Sequence, residues 1–306
     1  MIDIWVLLGV MLELSALILL GLVLTKLHLL DEKGSAVLST LVVHVFNPAL
    51  IISSVCEGGL QTQGDTVIEA IICGVFLYAL LILIAIVVYM RSKALKEEVS
   101  ICKMIVIFSN TAFVGYPILR ALYGDFAVFV FSLMHLPFNI LIFTYGRSLL
   151  QKGNHQKMTV KDIFSIGTVS SIVALILYFG NISVPVRVAD FFGILGDACV
   201  PLSMIVIGVS LAHASWKNVL KSKNINMVVF LRLIVLPVLI AWITLPLPIS
   251  TFNRELLVIS GALPAGSMIV VLAKEYKAND GLASAGVFLT TLLSVVTIPL
   301  MLGILL

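Results

Sequence analysis

Four short stretches carry the residue types that could bind a solute: Asn110-Thr111 with Gly115 and Pro117, Pro264-Ala265-Gly266-Ser267, Asn47-Pro48, and Pro201 with Ser203. Each lies inside an otherwise apolar segment. Proline deletes a backbone donor and its ring clashes with the preceding turn, and glycine weakens the helix further. A break frees amides and carbonyls, and the freed N-terminal end of a half-helix carries partial positive charge with unsatisfied N–H groups. Two such ends at mid-membrane would form an anion site. Asn47, Asn110, Thr111 and Ser267 would add neutral donors, which bind a carboxylate without a fixed charge to trap it. The competing reading is that these prolines only kink packed helices.

The elements that hold these stretches are membrane helices. The 306 residues are 60% hydrophobic and 11% charged, with mean hydropathy +1.17. Soluble domains run nearer about 25% charged, so too little polar surface is left for a soluble particle. The net charge of +3 comes with no basic run interleaved with aromatics, which argues against nucleic acid as a partner. Ten apolar segments reach the roughly 20 residues a span requires: Trp5–Leu27, Ala36–Val55, Val67–Met90, Met104–Leu122, Phe126–Leu149, Ile163–Gly180, Phe191–Ala212, Asn226–Leu245, Glu255–Ala273 and Leu282–Leu305. Backbone groups in lipid must be satisfied internally, so an all-α fold follows. The first segment follows Asp3 with no basic region before it and is too long for a signal peptide, so it reads as a retained helix.

Fifteen of the 19 lysines and arginines fall in alternate loops, leaving only Arg120, Arg187 and Arg254 opposite and Arg232 inside a span. The positive-inside rule then places both termini outside. The offset from Pro48 to Pro201 is 153 residues, and the same offset carries Asn110 to Leu263. Two five-span halves, 1–150 and 163–306, joined by a cytoplasmic linker at 151–162, would run in opposite senses, the inverted repeat of many secondary transporters. Breaks are expected at Asn110–Pro117 in span four and at Pro264 in span nine. Alanine favours helix by about 3 kcal/mol over proline, so on these grounds Pro264→Ala straightens span nine, while Pro299→Ala in span ten serves as a control.

Asn110-Thr111-Ala112-Phe113-Val114-Gly115-Tyr116-Pro117-Ile118-Leu119 resembles the first crossover of the auxin efflux carrier family, which includes plant PIN carriers and bacterial malate- or malonate-permease-like members. Ala262-Leu263-Pro264-Ala265-Gly266, running on to Ala273-Lys274-Glu275-Tyr276, resembles the second. Arg232 before Pro237 and Gly196-Asp197-Ala198 before Pro201 are similar to further family patterns, and the likeness spans essentially the whole chain. The resemblance implies a bile-acid/sodium-symporter-like fold with crossed, broken helices four and nine. It also implies a scaffold of helices 1, 2, 6 and 7, a transport domain of helices 3–5 and 8–10, and a homodimer formed through the scaffold. In the plant carriers the crossover asparagine contacts the substrate carboxylate, and Asn110 occupies that position. The plant third helix also supplies an acidic and a basic residue near the substrate. Span three here has only Glu69, near its outer end.

Ionisable groups at membrane depth are functional candidates. Glu13 is either a site for a coupling proton or cation or a hydrogen-bonded scaffold carboxylate, and Asp197 either shares such a role or pairs locally. His44 and His135 titrate near neutral pH or serve as structural donors. Arg232 attracts the anion or snorkels to the inner interface. The cysteines Cys56, Cys73, Cys102 and Cys199 have no metal-ligand spacing and read as small hydrophobes, and no cofactor is expected. The combined expectation is a secondary transporter of a small organic anion, not an enzyme, working by elevator-like alternating access. A sodium-coupled symporter and an anion channel are the alternatives. An intramembrane serine hydrolase built on Ser267 lacks the second glycine of a nucleophile elbow and a histidine in span ten.

Overall fold

The computed structural model describes residues 4–56, 64–92, 94–151, 165–213 and 223–306. Among these the secondary structure is helical, apart from one isolated antiparallel bridge between Ser109 and Ala265. The linker after Gln151 and the loop residues Lys93, Lys152, Lys157, Lys161, Lys217 and Lys221 lie outside the described residues.

Among the described residues each of the ten apolar segments is carried mainly by helix, with interruptions at 108–110 and 263–267. In order the helices are α1 (Ile4–Lys26), α2 and α3 (Glu32–Leu41, Asn47–Ser53), α4 (Gly64–Tyr89), α5 and α6 (Lys96–Ile107, Tyr116–Tyr123), α7 to α9 (Asp125–Met134, Leu136–Leu141, Arg147–Leu150) and α10 (Ile166–Phe179). The second half continues with α11 (Val186–His213), α12 and α13 (Lys223–Phe230, Leu236–Thr244), α14 and α15 (Thr251–Ala262, Met268–Glu275) and α16 (Asp280–Leu305). Among the described residues, five stretches are long and apolar enough to cross a bilayer without a break: Glu32–Ser53, Gly64–Tyr89, Val186–Ala212, Asn224–Thr244 and Asp280–Leu305. A sixth forms if the pair Asp125–Met134 and Leu136–Leu150, bent by 41°, is one span. These helices expose Ile72, Leu83, Val87, Ile194, Trp242 and Ile304. In water so much apolar surface would drive association, whereas hydrocarbon requires it. The chain is thus an integral, multi-pass membrane protein.

Helix starts follow local chemistry. Asp31 caps α2 by accepting from the Gly34 amide at 2.8 Å, Ser165 caps α10, Ser250 caps α14, and Asn279 caps α16 by accepting from Leu282 at 2.9 Å. Prolines are absorbed in two ways. Pro48, Pro117 and Pro237 each sit at the second residue of a helix that follows a π turn, at Val42–Phe46, Thr111–Gly115 and Leu231–Val235. The widened turn moves a carbonyl from beneath the ring. Pro201 and Pro299 instead lie inside continuous helices. Pro137, just after the bend at His135, supplies the missing donor and ring clash that bend span five, which the sequence reading treated as one rod.

Two compact units share the chain: Met1–Gly74, Ala112–Asn139 and Ile163–His213 form one, and Val75–Thr111, Ile140–Asp162 and Ala214–Leu306 the other. Within the first, α1 and α11 pack backbone to backbone. A methyl group on Gly21 would strike the Ile205 carbonyl, and one on Gly208 the Ile18 carbonyl. Small residues of this kind let membrane helices approach closely where no hydrophobic force separates protein from lipid. Phe129 of α7 meets Tyr178 of α10 with ring centroids 5.1 Å apart. In the second unit, Ile225, Val229, Leu233 and Leu289 form a buried cluster that joins α12 and its π turn to α16.

Candidate substrate site

The breaks of spans four and nine belong to the second unit, and each forms for a local reason. Helix α5 ends at Ile107, and Phe108 turns extended (φ −103°, ψ 103°). Helix α14 ends at Ala262, and Leu263 (φ −63°, ψ 145°) takes the extended conformation that a following proline imposes. The two extended pieces pair. The Asn110 amide donates to the Pro264 carbonyl at 2.8 Å, and the Gly266 amide donates to the Phe108 carbonyl at 2.9 Å. Gly266 is required by this approach, since a Cβ there would lie 2.9 Å from the Ser109 carbonyl oxygen. The Ala265 amide finds a third acceptor, the Thr290 hydroxyl on α16 at 3.1 Å, and that hydroxyl donates to the Gly286 carbonyl at 2.8 Å.

The first break therefore differs from the expected Asn110–Pro117. It occupies Phe108–Asn110, and the helix resumes at Thr111 because the π turn already absorbs Pro117. Carbonyls left at the ends of α5 and α14 converge on Arg232. Its Nε donates to Leu263 at 2.8 Å, Nη1 to Val106 at 2.7 Å and Nη2 to Ser260 at 3.1 Å. Arg232 is 0% exposed, so the expected reach to the interface does not occur. The freed carbonyls form the better alternative to water, since carbonyl dipoles at two helix C-termini attract a cation.

Asn110 and Thr111 are buried beside the bridge, and Pro264, Ala265 and Gly266 are buried within it. Ser267 is exposed at the N-cap of α15, and its hydroxyl makes no capping bond. Beyond it, the Ile269 and Val270 amides turn back to Gly266 and Ser267 at 3.2 and 3.0 Å.

The remaining candidates fall in the first unit. Asn47 and Ser203 are brought together around Cys199, whose thiol donates to Asn47 Oδ1 at 2.7 Å and lies 3.9 Å from Ser203 Oγ. Cys199 is thus a hydrogen-bonding member of a buried polar cluster rather than a plain hydrophobe. Pro48 and Pro201 are half-buried, and Gly115 and Pro117 are buried. Asp197 pairs not locally but with Arg120, 77 residues before it: Arg120 Nη2 donates to it at 2.5 Å while Nε reaches Asp125 at 2.7 Å. His135 is buried, with Nδ1 2.9 Å from the Phe131 carbonyl, and His44 is exposed with Nδ1 at the same distance from the Thr40 carbonyl. Glu13 lies exposed on α1.

The sequence model of a family described as membrane transport protein matches residues 6–160 and 154–302. An "Uncharacterized transporter" of Methanothermobacter thermautotrophicus is 26% identical over 301 residues, covering 94% of this chain and 95% of the relative. One from Methanocaldococcus jannaschii is 24% identical, over 93% and 94% of the two chains. A Rhizobium meliloti protein named "Putative malonate transporter" is 25% identical over 95% of this chain and 93% of its own. Apolar helices on this scale, two paired helix breaks and a family match over nearly the whole length agree: the chain belongs to the membrane transport protein family, that of the auxin efflux carriers, and is a membrane transporter.

Proposed function

We propose that this transporter carries a small organic anion, a mono- or dicarboxylate, and binds it at the N-terminal ends of the half-helices that follow the two breaks. The pairing of those breaks carries the reading. It fixes Asn110, Thr111 and Gly266 around one short stretch of antiparallel backbone and leads directly into the N-terminus of α15 at Ser267. Such ends favour negative charge, and discontinuous helices with this polarity serve anionic substrates in other secondary transporters. The malonate named for the Rhizobium relative is a substrate of the same class.

The wider arrangement we propose has ten spans with both termini outside and two inverted halves with crossed helices four and nine. Helices 3–5 and 8–10 move as a transport domain against a scaffold of helices 1, 2, 6 and 7, and two copies meet through that scaffold. Asn47, Pro48, Pro201 and Ser203 belong to the first unit, where Asn47 and Ser203 are buried around Cys199.

Reconstitution tests it. Purified protein in liposomes should take up at least one radiolabelled carboxylate from a panel including malonate, malate and acetate, and should show counterflow, which a channel does not. Uptake should be equal in sodium, potassium and choline media. A strict sodium requirement would select the symporter alternative. A folded protein that neither binds nor moves any of the panel would refute the substrate class.

A further inference from the structure

Arg232 is a buried cation that the proposed carboxylate site does not obviously need. It sits in the π turn Leu231–Val235, and three of its N–H groups are spent on Val106, Ser260 and Leu263. It is also the only charged side chain in the stretches 75–90, 104–111, 224–249, 256–273 and 281–306. The other charges of the helices packed on this turn lie outside those stretches, so nothing ionised within them balances the arginine.

The acceptors explain its place. Val106 lies in the last turn of α5, and Ser260 in the last turn of α14. A helix C-terminus carries roughly half a negative charge and an N-terminus roughly half a positive one. Each break therefore sets a negative end beside a positive end, and from the position of a bound solute the two would largely cancel. One guanidinium spread over both C-terminal ends removes the negative half of both. The half-helices that follow then present about one uncancelled positive charge.

We infer that Arg232 is a positioning residue that makes the paired breaks a site for a single ionised carboxylate, by neutralising the C-terminal ends of α5 and α14 so that the N-terminal ends beyond them act on the substrate. It does so without touching the substrate, and the carboxylate supplies the missing counter-charge. The inference rests on the anion reading and adds its charge rule: the site takes one negative charge and discriminates against the neutral amide of the same shape. A dicarboxylate would bind through one carboxylate only.

The experiment is a competition measurement on protein in liposomes. The probes are malonate and its neutral diamide, with acetate and acetamide as a second pair. If another carboxylate of the panel binds instead, it and its amide are used. The parent should prefer carboxylate over amide strongly. Arg232→Gln should lower that preference at least about tenfold, the loss expected when a buried charge interaction is removed. Arg232→Lys, which keeps the charge but loses the three-pronged fork, should keep the preference within about threefold. A purely structural arginine would weaken carboxylate and amide together and leave the ratio alone, and that outcome overturns the inference. So does a parent that binds amide and carboxylate equally. Where Arg232→Gln fails to fold by size exclusion, Arg232→Lys decides: a folded lysine variant that has lost the preference refutes the charge rule. A parent that binds no carboxylate brings down the anion reading itself. A parent that binds while the ratio stays fixed in Arg232→Gln brings down only this inference.

Discussion

Replacing Pro264 by alanine tests what holds the span-nine break open. Alanine in place of proline favours helix by about 3 kcal/mol. If the helix ran straight, the Ser267 and Met268 amides would gain about 1 kcal/mol each, and Gly266 in a helix interior would cost about 1 kcal/mol. The drive to straighten is then about 4 kcal/mol. Against it stand the bonds that would be lost. The buried Asn110 amide and Phe108 carbonyl would lose their 2.8 and 2.9 Å partners, at about 1–3 kcal/mol each. Arg232 would lose Leu263 and Ser260, at 2.8 and 3.1 Å, to the intrahelical ladder, and bonds to a charged group are worth about 1.5–3 kcal/mol each. The cost is therefore about 5–12 kcal/mol, and the break should survive. This reverses the expectation from sequence, in which the proline alone kept a marginal break open. Pro264→Ala should retain carboxylate affinity within about threefold, and spin labels on α14 and α15 should report the parent's distance. A well-folded Pro264→Ala protein with a shorter or longer label distance and no binding would refute the claim that Arg232 and the bridge hold this geometry.

Other consequences are more direct. Asn110 contributes its backbone amide to the bridge, so Asn110→Ala should leave size-exclusion and melting behaviour unchanged while weakening carboxylate affinity about ten- to a hundredfold, the worth of one bond to a charged group. Gly208→Val should lower the melting temperature, because its side chain meets the Ile18 carbonyl, with overpacking costing about 1–3 kcal/mol or more; Gly9→Ala, with nothing within 4 Å, is the neutral control. In a cysteine-free background, an impermeant thiol reagent on intact cells should label a cysteine at Leu60 and not one at Asn154. The reverse pattern would invert the proposed orientation.

Much of the architecture was legible in the sequence because lipid imposes a one-dimensional rule. A backbone in hydrocarbon must be helical, so apolar runs of the right length locate the helices, and Pro264 marked where span nine stops, while the span-four break was expected at Asn110–Pro117 and lies at Phe108–Asn110. The finer placement was not legible, for two reasons. A proline states only that one donor is missing. Whether the chain answers with a π turn, as at Pro48, Pro117 and Pro237, a bend, as near Pro137, or no interruption, as at Pro201, depends on the neighbours that accept the displaced groups. A buried charge states only that it needs partners.

Composition and local pattern alone thus determined that this chain lives in a membrane, that it is helical, and that spans four and nine are interrupted. Only the tertiary structure decided that the two interruptions pair through Asn110 and Gly266, that Cys199 binds Asn47, and that Arg232 turns inward instead of reaching for the interface. The physical reason lies in the acceptors. The carbonyls of Val106, Ser260 and Leu263 come from segments more than 25 residues from Arg232 in the chain, as the separations of 126, 28 and 31 residues show. No local window of sequence contains them, and folding alone brings three freed carbonyls to one guanidinium.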